Sequence, residues 1–300
     1  MAETNASALS LRFRRKNDLR DSPAQDNFAK RFFKNPLACI GSIVFFSIVL
    51  IAILAPFIAT YDYTLIDPLN ANQAPSAEHI FGTDSYGRDI FSRIVYGARY
   101  SVSIGICSQA ISVVFGVIIG AFAGYFGGKT DNVILRICDI IQAIPSTLLA
   151  IIISQALGSG FVPTVVALGT SSVPQTIRLL RSAILGVRGE EYIEAAQCLG
   201  CSSLRIMFRH VVPNSLTPII VAASNGVGRS ILTSAGLSYV GLGVQDPYAE
   251  WGAMMSLAKA NIRSCSYQII IPGIAIALVV FSFNLIGNGL RDALDPKLRT

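Results

Sequence analysis

Histidine is almost missing from this chain: there are two in 300 residues. That excludes a histidine cluster for a metal, and no Ser, His and Asp stand where they could combine as a nucleophilic set. No Gly-x-x-x-x-Gly-Lys-Ser/Thr run occurs, so the chain has no P-loop to cradle nucleotide phosphates. Of the six cysteines, Cys198 and Cys201 form a Cys-x-x-Cys. No second pair or pair of histidines completes a zinc set, and these two read as packing residues. Charge is scarce too, at 14% of residues, and no Asp or Glu lies deep in a long apolar run, Asp139 standing near an end. Secondary transporters and channels typically keep acidic or histidine relay groups there, and inverted repeats with broken helices are not apparent.

What remains is apolar and segregated. Hydrophobic residues make up 52% of the chain, with a mean hydropathy of +0.55. The stretches 37–59, 100–128 and 264–290 contain no charged residue, and each exceeds the roughly 20 residues a helix needs to cross the hydrocarbon core. The pattern predicts an all-α polytopic membrane protein with six transmembrane helices, at about 37–59, 101–125, 133–157, 161–180, 215–240 and 267–290. The first run begins too far along and is too long to be a cleavable signal peptide.

The net charge of +6 could suggest nucleic acid, but its placement argues for membrane orientation instead. Residues 1–36 hold eight Lys/Arg against four acids, residues 60–98 hold two Arg against five acids, and five Arg lie between Arg178 and Arg209. With the basic segments inside, both termini are cytoplasmic and 60–99 is an extracytoplasmic loop. Residues 1–27 are expected to be disordered, and Lys30, Arg31 and Lys34 among Phe28, Phe32 and Phe33 read as an interfacial helix or as positive flanking of the first span.

Within the spans, Gly116, Gly120 and Gly124 recur every four residues and predict a close helix contact. Arg136 and Asp139 are expected to pair with each other or with water, and Pro145 to kink its helix. The fifth span is unusually polar, which makes Asn225 and Arg229 candidates for lining a pathway, against helix–helix hydrogen bonding or snorkelling. The segment 241–266 is apolar enough to dip partly into the membrane.

One polar island stands apart, Glu190 to Pro213. Tyr192, Ala195, Ala196 and Leu199 recur at helical spacing, giving a small apolar face. Glu190, Glu191 and Glu194 crowd the first turns, where the helix dipole favours negative charge. Gly200 suits a helix end, and Pro213 is expected to close the second amphipathic piece. A small face flanked by charge describes a docking helix.

Glu194-Ala195-Ala196, then Gly200, then His210-Val-Val-Pro213 resembles the EAA loop of ABC importer permeases. Gly82-Thr-Asp84-x-x-Gly-Arg88-Asp89, followed by Ser-Arg93 and Gly97-x-Arg99, is similar to the second, C-type permease of dipeptide, oligopeptide and nickel importers. The resemblance covers most of residues 30–300. It implies a cytoplasmic N-terminal segment (1–36), a first helix (37–59), a transmembrane core (100–290) with a coupling loop at 182–213, and a cytoplasmic tail (291–300). It further implies a bacterial plasma-membrane protein working with a second permease, two ATPase subunits that hold ATP-Mg, and an extracytoplasmic binding protein. This chain would then be no enzyme and bind no cofactor or metal. Glu194, Ala195, Ala196, Gly200 and Pro213 would couple to the ATPase. Asp84, Arg88 and Asp89 are expected to contact the binding protein. Peptide is the expected cargo, with nickel or glutathione as alternatives, and an autonomous secondary transporter is the competing class.

Overall fold

Backbone groups in lipid must bond internally, which leaves an uncharged run little choice but helix. The computed structural model describes residues 28–294, and its regular elements are helices; the expectations for residues 1–27 and for the end of the tail lie outside that range. A short α1 (Phe28–Lys34) meets α2 (Pro36–Ile53) at Asn35, whose side chain accepts the N–H groups of Leu37 and Ala38. The first apolar run then breaks at Leu54 and finishes as α3 (Ala55–Ile58), with Pro56 in its first turn.

α4 (Ile90–Phe126) starts well before the expected Ser101. Charge hid its beginning: Arg93 is buried, and the Arg99 guanidinium donates to the Ala52 and Ile53 carbonyls at 2.6 and 3.0 Å. The expected third span is two helices, α5 (Gly128–Gln142) and α6 (Ser146–Leu157), meeting at 83°. Pro145 does more than kink here, because it lacks an N–H and excludes helical geometry from the residue before it. α7 (Phe161–Val187) also runs past its expected end.

Beyond it come α8 (Glu191–Cys198), the bent rod α9 (Ser203–Ser215), α10 (Thr217–Tyr239), α11 (Trp251–Leu257) and α12 (Tyr267–Leu294). Among the described residues, α2, α4 and α12 are long and apolar enough to cross a membrane by themselves. The bent pairs α5–α6 and α9–α10, the latter bent by 58°, bring the number to five if each is one span.

The glycine stripe of α4 makes a close contact with α7. A Cβ on Gly116 would stand 2.5 Å from the Thr176 Cβ, one on Gly120 3.0 Å from the Ile177 carbonyl, and one on Gly124 2.9 Å from the Ile184 Cβ. α12 closes on α2 in the same way, through Gly41 against Leu285 and Gly289 against Ala38. α11 packs against the bundle. Its Trp251 is buried and donates through Nε1 to the Ile94 carbonyl at 3.0 Å, while Gly252 presses on Ala235 of α10.

Ion pairs join the helices at the α8 end of the bundle. Arg181 on α7 grips Asp131 on α5, its Nε 2.8 Å from the carboxylate, and Arg178 pairs with Asp139. The expected partnership of Asp139 with Arg136 is therefore replaced by one across helices, because α7 packs beside α5 and brings Arg178 within reach.

Candidate functional site

α8 is a two-faced helix. Glu191 and Glu194 occupy its first turn, and Glu190 enters it in extended geometry. The exit is a Schellman turn: Gly200 at φ +75° donates its N–H to the Gln197 carbonyl at 2.9 Å, and Cys201 donates to Ala196 at 3.2 Å. A Cβ on Gly200 would meet nothing within 4 Å, so the glycine serves conformation, not close approach. Ile193, 1% exposed, and Ala196 sink into an apolar cluster with Leu180 and Ile184 of α7, Ile206, Met207, Val211 and Val212 of α9, and Ile219 of α10. The opposite face shows Tyr192 (45%), Ala195 and Leu199 (83%), and α9 adds Leu204 and Phe208 beside it.

The two alanines of the expected small face thus part company, Ala195 outward and Ala196 inward. The cysteines divide likewise: Cys201 packs against the cluster, while Cys198 is exposed and does not pack as expected.

Pro213 does not end its helix. Having no N–H, it cannot bond four residues back, and the chain widens from Met207 to Val211 into a π turn, with Val212 donating to the Met207 carbonyl. Asn214 Nδ2 and Ser215 Oγ reach the carbonyls of His210 and Val211 at 2.6 and 2.9 Å, so the distorted turn keeps its acceptors satisfied. The rod then continues to Ser215 and bends where Pro218 opens α10.

Above this cluster α4, α7 and α10 enclose a polar cleft of about 140 Å³, with Gln109, Ser112, Gln175, Thr176, Arg229 and Thr233 among its lining. Ser112 and Thr176 share a hydroxyl hydrogen bond of 2.8 Å across the α4–α7 contact, and Gly226 leaves room for the Gln109 amide. Arg229 lines this cleft. Asn225 does not: it faces α12, its Oδ1 only 2.3 Å from where a Cβ on Gly287 would lie, and serves helix contact. Sequence reading passed over Gln109, Ser112, Gln175 and Thr176. A signal was there, polar residues three or four apart in apolar helices: Gln109 with Ser112, Ser171 with Gln175, and Ser172 with Thr176.

At the α11 end, Asp84, Arg88 and Asp89 converge. They form a turn in which Asp84 N–H donates to the Arg88 carbonyl at 3.0 Å. Asp89 caps α4 by accepting the Ser92 N–H at 2.8 Å, and its other oxygen lies 3.0 Å from His79 Nδ1. Arg88, 1% exposed, bonds Asp84 through Nε at 2.7 Å and Asp246 through a terminal nitrogen at 2.6 Å. Both Arg88 and Asp89 are buried, so their side chains offer little surface to a visiting protein. Gly87 lets the turn close, at φ +74° with the Asp67 carbonyl 1.7 Å from a built Cβ.

A helical bundle with apolar spans, a polar cleft among them and a two-faced helix at one end defines a membrane transport subunit. The family model described as "Binding-protein-dependent transport system inner membrane component" matches residues 116–300, and the "N-terminal TM domain of oligopeptide transport permease C" matches residues 22–75. The dipeptide transport system permease DppC of Alkalihalophilus pseudofirmus is 47% identical over 93% of this chain and 91% of its own length. The oligopeptide permease OppC of Bacillus subtilis is 41% identical over 90% and 88%, and a glutathione permease GsiD of Escherichia coli 40% over 91% and 90%.

Among solved structures, an amino acid ABC transporter aligns at TM-score 0.53 and 17% identity over 67% of this chain and 94% of its own. The MetNI methionine transporter aligns at 0.52 and 18% over 66% and 96%. These two speak for the fold alone. The chain belongs to the binding-protein-dependent transport system inner membrane components, and is a C-type permease subunit of an ABC importer.

Proposed function

We propose that this chain forms half of a translocation pathway for peptides, beside a second and different permease, driven by two ATPase subunits that grip α8. The observation that carries the reading is the division of α8 between a wedged face and a bare one. Force applied to Tyr192, Ala195 and Leu199 passes through Ile193 and Ala196 into α7 and α9. Across the bend at Leu216 it reaches α10, which bears Arg229 on the cleft. Gly200 holds the helix exit and Pro213 the shape of α9, while Glu194 keeps its charge at the docking edge. ATP and Mg²⁺ sit on the partner subunits, so this chain hydrolyses nothing and holds no cofactor.

The six spans are α2 with α3, α4, α5 with α6, α7, α9 with α10, and α12. α7 is too polar to qualify alone, but its Thr164, Gly169, Pro174 and Thr176 are buried in the bundle, where lipid does not meet them. Basic residues at the α8 end support a cytoplasmic position for it and for both termini. The binding protein then arrives at the α11 end, on the loop whose shape Asp84, Arg88 and Asp89 hold. Amide and hydroxyl groups in the cleft suit a peptide backbone. Nickel would prefer imidazole or thiolate, and neither lines the cleft.

Purification in mild detergent from the native membrane, followed by mass spectrometry and reconstitution, tests this. Two P-loop ATPases and a second permease should accompany the chain, and the complex should import peptides only with ATP and a binding protein. A chain that emerges alone and transports without ATP is a secondary transporter, and the proposal fails.

A further inference from the structure

Arg229 lies twelve residues into α10, about 18 Å along the helix axis and so near the middle of that 23-residue helix. A cation at that depth costs several kcal/mol unless something answers its charge. Among the described residues nothing does: the Arg229 side chain has no ionic or hydrogen-bonding partner there, and no Asp or Glu lines its cleft. Only its backbone carbonyl is engaged, accepting from Thr233 Oγ1 at 2.9 Å. The surrounding wall is the reverse of a lipid surface, with Gln109, Ser112, Ser171, Gln175 and Thr176 presenting neutral donors and acceptors. Such a wall offers hydrogen bonds but no opposite charge, and leaves the positive charge of the guanidinium uncancelled. A planar fork of donors over a neutral hydrogen-bonding floor matches a carboxylate or a phosphate, and of these a peptide carries the carboxylate.

We infer that Arg229 binds the free α-carboxylate of the peptide as it passes, making this cleft selective for substrates with an unblocked C-terminus. The inference rests on the peptide reading above. Spread over hydroxyls and amides, the floor can hold main-chain amides of any sequence, while the one charged contact fixes which end of the peptide leads. The site is open and has a single charge, so it holds its ligand loosely enough to release it.

The test uses the whole importer in proteoliposomes with its own binding protein, comparing uptake of dialanine and of its C-terminal amide. The binding protein is the same throughout, so a change in the acid-to-amide ratio between variants belongs to the permease. Arg229→Gln should cut dialanine uptake about tenfold, the loss of one charge-assisted contact, and leave the amide unchanged. Arg229→Lys should keep most of the preference. Gln175→Glu, which places a carboxylate in the same cleft at nearly unchanged shape, should lower dialanine uptake selectively, and it provides the test should Arg229→Gln fail to assemble. An acid-to-amide ratio unmoved by these changes overturns the inference while leaving peptide import standing. Loss of the second permease from Arg229→Gln, with the acid-to-amide ratio unmoved in Gln175→Glu, also overturns it, and assigns the arginine to an ion pair between subunits. If the wild-type complex moves no peptide at all, the peptide reading falls first and this inference with it.

Discussion

Glu250 is a carboxylate in an awkward place. It caps α11, accepting the Ala253 N–H at 2.8 Å, yet it is 1% exposed, and burial pushes its carboxyl above the usual range, with the amide bond only partly offsetting that. A raised folded pKa means that the folded state favours the protonated form. Its contribution to stability is full below the unfolded value, about 4.3, and is lost as pH rises through the folded one. Glu250→Gln keeps an acceptor for Ala253 and removes the titration. The thermal midpoint of the purified variant should therefore gain on the wild type as pH is raised from the acid side toward neutrality. Parallel melting curves across that range would show that the burial of Glu250 carries no such cost. Gly87 and Gly200 mark a contrast at the same scale. The first answers both a positive φ and a carbonyl at its α-carbon, the second only a positive φ, and composition alone cannot tell those two needs apart.

Single elements show why some of the fold was legible in the sequence and some was not. The glycine stripe could be read, because a four-residue period of glycines in a lipid-soluble helix has few other uses. Gly116→Ala should accordingly force α4 from α7 and cost about 1–3 kcal/mol. Gly186→Ala, in open space on α7, should be neutral or mildly stabilising. Melting of both variants in detergent decides it, and equal midpoints would deny the contact. Charge-free runs also located α2, α4 and α12 to within a turn or so, except at the start of α4. That start was hidden because Arg93 and Arg99 look solvent-bound in a string of letters but donate to carbonyls of another segment. The partnership of Asp139 with Arg178 and the lining of the cleft failed to show for the same reason, since each joins residues from separate helices. Periodicity reports one helix at a time. It put Arg229 on the cleft through its rarity, yet gave Asn225 the same standing although that residue looks toward α12.

At the scale of the assembled importer, the same division of labour predicts opposite failures from two neighbouring residues. Ile193 holds α8 to the bundle from within the cluster of α7, α9 and α10, so Ile193→Ala opens a cavity and should destabilise the chain by about 2–4 kcal/mol. Leu199, largely exposed beside Gly200, supports nothing in the chain itself. Leu199→Glu should insert normally and melt like the wild type, because an exposed leucine stabilises little. In the complex its side chain would instead be covered by an ATPase, and burying an unpaired carboxylate there is costly. Uptake and ATPase co-purification should then fall together, by tenfold or more if the residue sits at the centre of the contact. Measuring insertion, melting and co-purification on both variants separates a helix that holds the bundle from one that transmits force. If Leu199→Glu retains its ATPases and full uptake, the bare face of α8 lies outside the drive, and the force must enter the bundle elsewhere.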